Sequence, residues 1–212
     1  MSRSSLSRLS SLSLLASLAL VSSATAAIQT VAGQVTQIGS PLSCAPGALT
    51  SFNAQAWNEQ VNVTTGPIKV NLTAPGFYTG SAANFGVVAG TFDSHFIHFE
   101  GIPGQFNVSG SVTFVDPIAA VMYENTYLDS SDPIFGSFGT IYPTSNPNRS
   151  LAGPLNSNSL NWAGNTLSFN LFTMAPGNPV IQLRVLTHPV PAPGSLAMVG
   201  LGGLVAARRR RR

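Results

Sequence analysis

The run "DSHFIHFE" gathers the densest set of chemically able side chains in this sequence: His95 and His98 as an H-x-x-H pair beside Asp93 and Glu100. On a helix such a pair shares a face and can grip a metal. This run is aromatic and β-like, and along a strand side chains alternate. His95 then sides with Asp93, Ile97 and Phe99, while His98 sides with Phe96 and Glu100. One strand cannot turn both imidazoles to one ion, and a zinc site needs three or four convergent ligands. The expectation is a strand with hydrogen-bonded histidines near the sheet surface, and no metal.

A second acidic run, "ENTYLDSSD", carries Glu124, Asp129 and Asp132. Calcium takes six to eight oxygens from carboxylates, carbonyls and water, and a loop of this composition supplies some of them. The D-x-[DN]-x-[DN]-G pattern of an EF-hand is missing. Asp and Ser are ordinary turn formers, so a solvated turn is expected here. No G-x-S-x-G, P-loop or G-x-G-x-x-G stands on a strand-to-helix turn, and no cofactor is expected. Paired carboxylates for glycoside hydrolysis form in space and leave no mark in sequence. Trp57 and Trp162 suit sugar stacking if exposed, and otherwise fill a core.

These residues need elements to position them, and the middle of the chain reads as short strands. "NVSGSVTFVD" sets Val108, Val112 and Phe114 against Ser109, Ser111 and Thr113. "NTLSFNLF" sets Leu167, Phe169 and Leu171 against Thr166, Ser168 and Asn170, and "VIQLRVLT" sets Ile181, Leu183 and Val185 against Gln182 and Arg184. Further strands are expected over 28–38, 60–65, 68–73, 85–91 and 118–123, with a long polar loop over 146–158. Turn clusters such as "TAPG", "GIPG" and "APGNP" separate them. Period-2 alternation in many short segments predicts an all-β fold: a single antiparallel β-sandwich, jelly-roll or Ig-like, over 28–187. Phe114, Phe169, Leu171 and Leu183 are expected to point inward. About 160 residues suffice for one domain with a full core, and no internal repeat is apparent. The lone Cys44 forms no intrachain disulfide and reads as a plain loop or core thiol.

Both ends differ from this middle. Arg3 and Arg8 precede the apolar stretch "LSLLASLALV", and "SSATAA" follows with Ala24 and Ala26 placed as an A-x-A cleavage site. That is the pattern of a secretory signal peptide over 1–27, cut by signal peptidase after Ala26 or Ala27. At the other end, residues 194–207 are fourteen residues without a charge, followed by Arg208, Arg209, Arg210, Arg211 and Arg212. A span usually needs about 20 apolar residues, so this helix is short, and the arginine flank acts as its cytoplasmic stop. Removing the ends changes the electrostatics. The whole chain has a formal charge of +3, but residues 28–187 hold three bases, Lys69, Arg149 and Arg184, against seven acids, a charge of −4. With no basic stripe to neutralise phosphates, nucleic-acid binding is not expected.

"VPAPGSLAMVGLGGLVAARRRRR" resembles a PEP-CTERM sorting signal: a Pro-x-Pro motif at Val190, Pro191, Ala192 and Pro193, a short apolar helix, then the arginine cluster, over 188–212. Ala192 stands where the family name has Glu. The resemblance implies export by a Gram-negative bacterium, transient membrane insertion by the C-terminal helix, and handling by exosortase near the Pro-x-Pro motif. Within the domain, "FDSHFIHFEG", "VSGSVTFVDPIAAV", "LDSSDPIFGSFGTIYP" and "LRVLT" resemble a recurring extracellular domain found in front of such tails. That likeness implies a secreted β-sandwich and carries no catalytic residue across. The expected function is a non-enzymatic cell-surface or extracellular-matrix protein, with exopolysaccharide as a candidate partner. The alternatives are a secreted carbohydrate-active enzyme or a calcium-dependent glycan-binding module.

Overall fold

Alternating segments become strands where one face can be buried, and in the computed structural model they assemble into two sheets. The structure describes residues 27–79, 85–102, 107–151, 158–173 and 180–189, all inside one unit, Thr25–Val190. The elements in chain order are β1 (Ile28–Gly33), β2 (Val35–Gln37), β3 (Ala54–Asn58), β4 (Val63–Val70), β5 (Gly76–Thr79), β6 (Gly86–Phe99), β7 (Asn107–Phe114), β8 (Ile118–Met122), α1 (Asn125–Phe135), β9 (Ser159–Ala163), β10 (Thr166–Phe172) and β11 (Ile181–Thr187). One sheet runs β1-β7-β10-β9-β5 and the other β2-β3-β6-β11-β8, with β4 also paired to β6. Every pairing is antiparallel except β2 with β3.

The chain is mostly β, as its alternation predicts. Phe114, Phe169 and Leu171 from the first sheet and Ile97, Phe99, Leu183 and Val185 from the second share one buried cluster. A second cluster lies on the other face of the six-stranded sheet, where Trp57, Phe96, Met122 and Leu186 meet Leu128 and Phe135 of α1. Strand β11 is therefore buried on both faces along its whole length.

Several expectations need correcting. "ENTYLDSSD" is not a solvated turn: from Asn125 onward it belongs to α1, which buries Leu128, Ser131 and Phe135. Its residues are weak helix formers, and Pro133 inside it supplies no N–H to the preceding turn. Tertiary contacts, described below, override that propensity. The strand expected over 28–38 is two strands, β1 in one sheet and β2 in the other. The pair expected over 60–65 and 68–73 is the single β4, with a register shift between Thr65 and Ile68. Strands β3 and β5 carry too little alternation to be seen, and β9 alternates Leu160 and Trp162 against Asn161 over only five residues. For the two tryptophans the core reading holds: Trp57 is 0 % and Trp162 4 % exposed.

The break between β1 and β2 has a steric cause. Gly33 and Gly110 face each other across the β1–β7 ladder. Gly33 has φ of 71°, a conformation that suits glycine. A Cβ on Gly110 would lie 2.4 Å from Val35 Cγ2 and 2.7 Å from the Ala32 carbonyl oxygen. The two glycines let the first strand pass from one sheet to the other in contact with β7.

No described helix is long and apolar enough to cross a membrane. Residues 1–26 and 190–212 lie outside the described residues. With them go the signal segment and its cleavage positions Ala24 and Ala26, the sorting motif from Val190 to Pro193, the expected helix 194–207 and the arginine cluster. Ala27 is described, and its carbonyl accepts from the Val115 amide.

Gly110→Ala is expected to destabilise the domain by about 1–3 kcal/mol, the usual penalty of overpacking. Gly39→Ala, where an added Cβ meets nothing within 4 Å, should stay within about 0.5 kcal/mol of wild type. Urea unfolding of the two variants measures both.

Candidate functional site

The alternation of β11 puts Gln182 and Arg184 on the face away from the inter-sheet core, where α1 and the loops cover them. A charge with no access to water must find its partners inside the protein, and Arg184 does. Its Nε donates to Glu59 Oε2 at 2.7 Å. Nη2 donates to Glu59 Oε1 at 2.8 Å and to Asp132 Oδ1 at 3.0 Å. Nη1 donates to Ser131 Oγ at 2.5 Å and reaches the Leu128 carbonyl at 3.5 Å. Burial alone would lower its pKa, but Glu59 and Asp132 more than offset this and hold the guanidinium charged.

Asp132 joins this arginine to a second. Arg149, also fully buried, donates from Nη1 to Asp132 Oδ2 at 2.7 Å and to Asp129 Oδ1 at 2.6 Å. Its Nε donates to Gln182 Oε1 at 2.8 Å. Asp129 and Asp132 sit three apart on α1, so both face the same way. The two carboxylates expected in a solvated turn therefore hold buried arginines. Glu124 is separate from them, at the N-cap of α1. Tyr142 donates to Glu59 Oε1 at 2.5 Å, and Ser94 Oγ to Glu59 Oε2 at 2.6 Å. Both oxygens of Glu59 are fully engaged.

The histidines stand on opposite faces of β6, as alternation requires. Both are buried, at 1 % and 0 % exposure, not near the sheet surface as expected. His95 faces the inter-sheet core, its ring 4.6 Å from Phe114. Asn58 Oδ1 already accepts from the Ile28 amide, so His95 Nδ1 donates to it at 2.8 Å, and Nε2 accepts from Thr187 Oγ1. Burial lowers the pKa of His95 to about 4, which leaves it neutral. His98 faces the arginine layer. Gln182 gives its carbonyl oxygen to Arg149, so its Nε2 donates to the Cys44 carbonyl at 2.9 Å and to His98 Nδ1 at 3.1 Å. His98 Nδ1 is thus an acceptor and the ring proton sits on Nε2. Burial lowers the pKa of His98.

This layer is tied up, not poised for reaction. Cys44 is buried and its thiol is pushed up to about 12, chiefly by burial, so it has no thiolate character. Among the described residues no three His, Cys, Asp or Glu side chains converge as metal ligands. One cleft of about 530 Å³ is lined by Trp162, Asn165, His188 and prolines. Another of about 620 Å³ lies between β4 and α1, beside Lys69 and Tyr127. Neither is lined by a carboxylate. Of the charged residues described, only Lys69 is exposed. Strand alternation alone puts Gln182 and Arg184 together on one face, whereas nothing in the polar run "NPNRS" marks Arg149 as the residue that completes the layer. No family model, curated protein or solved structure matches the chain.

Removing one partner of a buried ion pair strands the other charge, so Glu59→Gln is expected to cost about 3–5 kcal/mol in urea unfolding. A second expectation concerns pH. The folded-state pKa of His95 lies below its unfolded value of 6.5, so only the unfolded chain takes up this proton as pH falls from about 6.5 to 4. Stability from this group is complete above pH 6.5 and is lost across that window, by up to about 3 kcal/mol. Unfolding of His95→Gln at pH 7 and pH 4 should show a correspondingly smaller loss than wild type; an equal loss would assign the dependence elsewhere.

Proposed function

We propose that this chain is an exported, non-enzymatic surface or matrix protein whose two sheets form a β-sandwich between a signal peptide and an exosortase-type sorting tail. The observation that carries the non-enzymatic reading is where the charge lies. The described acids and both described arginines are buried or half-buried, most of them in internal ion pairs, and the two clefts contain no carboxylate. Glycoside hydrolysis needs two accessible carboxyl groups about 5–10 Å apart, and the clefts do not supply them. Among the described residues the surface left behind is rich in hydroxyls and amides and nearly free of charge. Such a surface suits contact with neutral, hydroxylated matrix polymers such as exopolysaccharide.

The sorting half rests on the tail. A charged side chain at the centre of a membrane helix costs about 2.5–3.5 kcal/mol on insertion scales. Five arginines behind a marginal apolar run therefore stop translocation and leave the helix in the membrane. A residue before proline is biased toward extended backbone, and on this reading the Pro191–Pro193 stretch is what a membrane-embedded processing enzyme would meet.

Replacing Arg208 to Arg212 with Ser is expected to let unprocessed protein escape or mis-insert. Replacing Pro191 and Pro193 with Ala should leave an uncut, membrane-held form that runs slightly larger on a gel. Fractionation of a host with and without its exosortase reads both outcomes. Release and processing like wild type in both variants would sink the sorting reading. Turnover of a polysaccharide by the purified protein, lost in a single Asp or Glu variant that still folds, would sink the non-enzymatic one.

A further inference from the structure

Four buried polar atoms on the covered face of the six-stranded sheet have no hydrogen-bond partner among the described residues: Trp57 Nε1 and, around His98, Gln55 Oε1, His98 Nε2 and Glu100 Oε2. The last three belong to one neighbourhood. Gln55 stands directly opposite His98 across the β3–β6 ladder, which puts the two side chains on one face about 5 Å apart at Cβ. Glu100 lies two residues beyond His98 on the same side. Its Oε2 is 3.8 Å from His98 Nε2, beyond the 2.7–3.2 Å or so of an N–H···O bond. His98 is 0 % and Glu100 1 % exposed, so bulk water does not serve these atoms.

The donors and acceptors specify what fits between them. The Arg149–Gln182 contact fixes the Gln182 amide, the amide fixes His98 Nδ1 as an acceptor, and the ring therefore presents Nε2–H. Glu100 and Gln55 present acceptors. The complementary molecule accepts one hydrogen bond and donates two, and is small enough to lie beside two side chains, His98 and Glu100, that bulk water does not reach. We propose that a single internal water sits here, accepting from His98 Nε2–H and donating to Glu100 Oε2 and Gln55 Oε1. A water about 2.8 Å from both partners closes a 3.8 Å separation without moving either, and three bonds is the usual complement of a buried water. A cation does not fit, because the one lone pair of the neutral ring is already taken by Gln182. An ammonium ion does not fit either, since it cannot accept from Nε2–H.

The water gives the site a mechanical role. Glu100 Oε1 accepts from the Gly47 amide at 2.6 Å, and its own backbone carbonyl accepts from the Ser51 amide. Glu100 is thus the clasp of the loop that carries Cys44. Through the water, His98, Gln182 and Arg149, that clasp is continuous with Asp132 and the helix.

The test is NMR on the full-length protein labelled with ¹⁵N. Imidazole ¹⁵N shifts are expected to show His98 protonated at Nε2 and bare at Nδ1. Hε2 is expected to give a cross-peak to water with the sign of a water held longer than the protein tumbles. Gln55→Leu removes one acceptor and leaves both neighbours in place. It should shorten the water's residence at least tenfold without changing the tautomer. A proton on Nδ1, an Hε2 with no long-lived water, or an unchanged residence time in Gln55→Leu would overturn the site. So would stoichiometric zinc binding that displaces Hε2.

Discussion

Arg184 is the constraint around which one side of this domain is arranged. It lies on β11, an interior strand of its sheet, with its guanidinium cut off from water. All five of its N–H donors are used: three on Glu59 and Asp132, one on Ser131 and one on the Leu128 carbonyl. Burying an unpaired charge costs several kcal/mol even after relaxation, so no arrangement of this face is viable without those partners. Three of the four partner residues lie on α1. The helix sits where the arginine needs it, which explains how a segment of poor helix formers, with proline inside, becomes helical at all. Asp132 then serves both arginines, and through Arg149 the same requirement reaches Gln182, His98 and the Cys44 loop.

Strands β7, β10 and β11 were legible because one face of each is apolar and the other polar. That pattern says which face is buried against the other sheet. It does not say whether the polar face meets water or a second polar layer. "QLR" reads the same in both cases, and here Gln182 and Arg184 are as buried as Leu183 between them. The helix was illegible for a related reason. Asp129 and Asp132 look like turn residues until their counter-ions are known, and Arg149 and Arg184 are distant in sequence. A hint was present: a domain with only three bases that places one between apolar residues mid-strand is not using it for solubility. Trp57, in the weakly patterned "AQAWN", offered no comparable clue. The segregation of His95 and His98 to opposite faces, by contrast, follows from strand geometry alone.

Using the charges internally also settles the character of the exterior. With Lys69 the one exposed charged residue described, contacts made by the described surface depend little on screening by salt. They depend instead on hydroxyl and amide hydrogen bonds and on exposed apolar side chains such as Leu42, Phe138 and Ile141. The polar interior specifies one packing of loops and helix, while the apolar inter-sheet core supplies the general driving force for burial.

The position of β11 has a consequence in time. It is the last described strand, yet it lies between β6 and β8, and its arginine bonds a glutamate 125 residues earlier in the chain. Contacts of such long separation form late and slowly. While synthesis is incomplete, β6 and β8 lack the strand that joins them, and Glu59 and Asp132 lack their arginine. The six-stranded sheet therefore cannot be completed until nearly all of the chain has been made. On the proposed reading of an exported chain, that delay would keep it threadable.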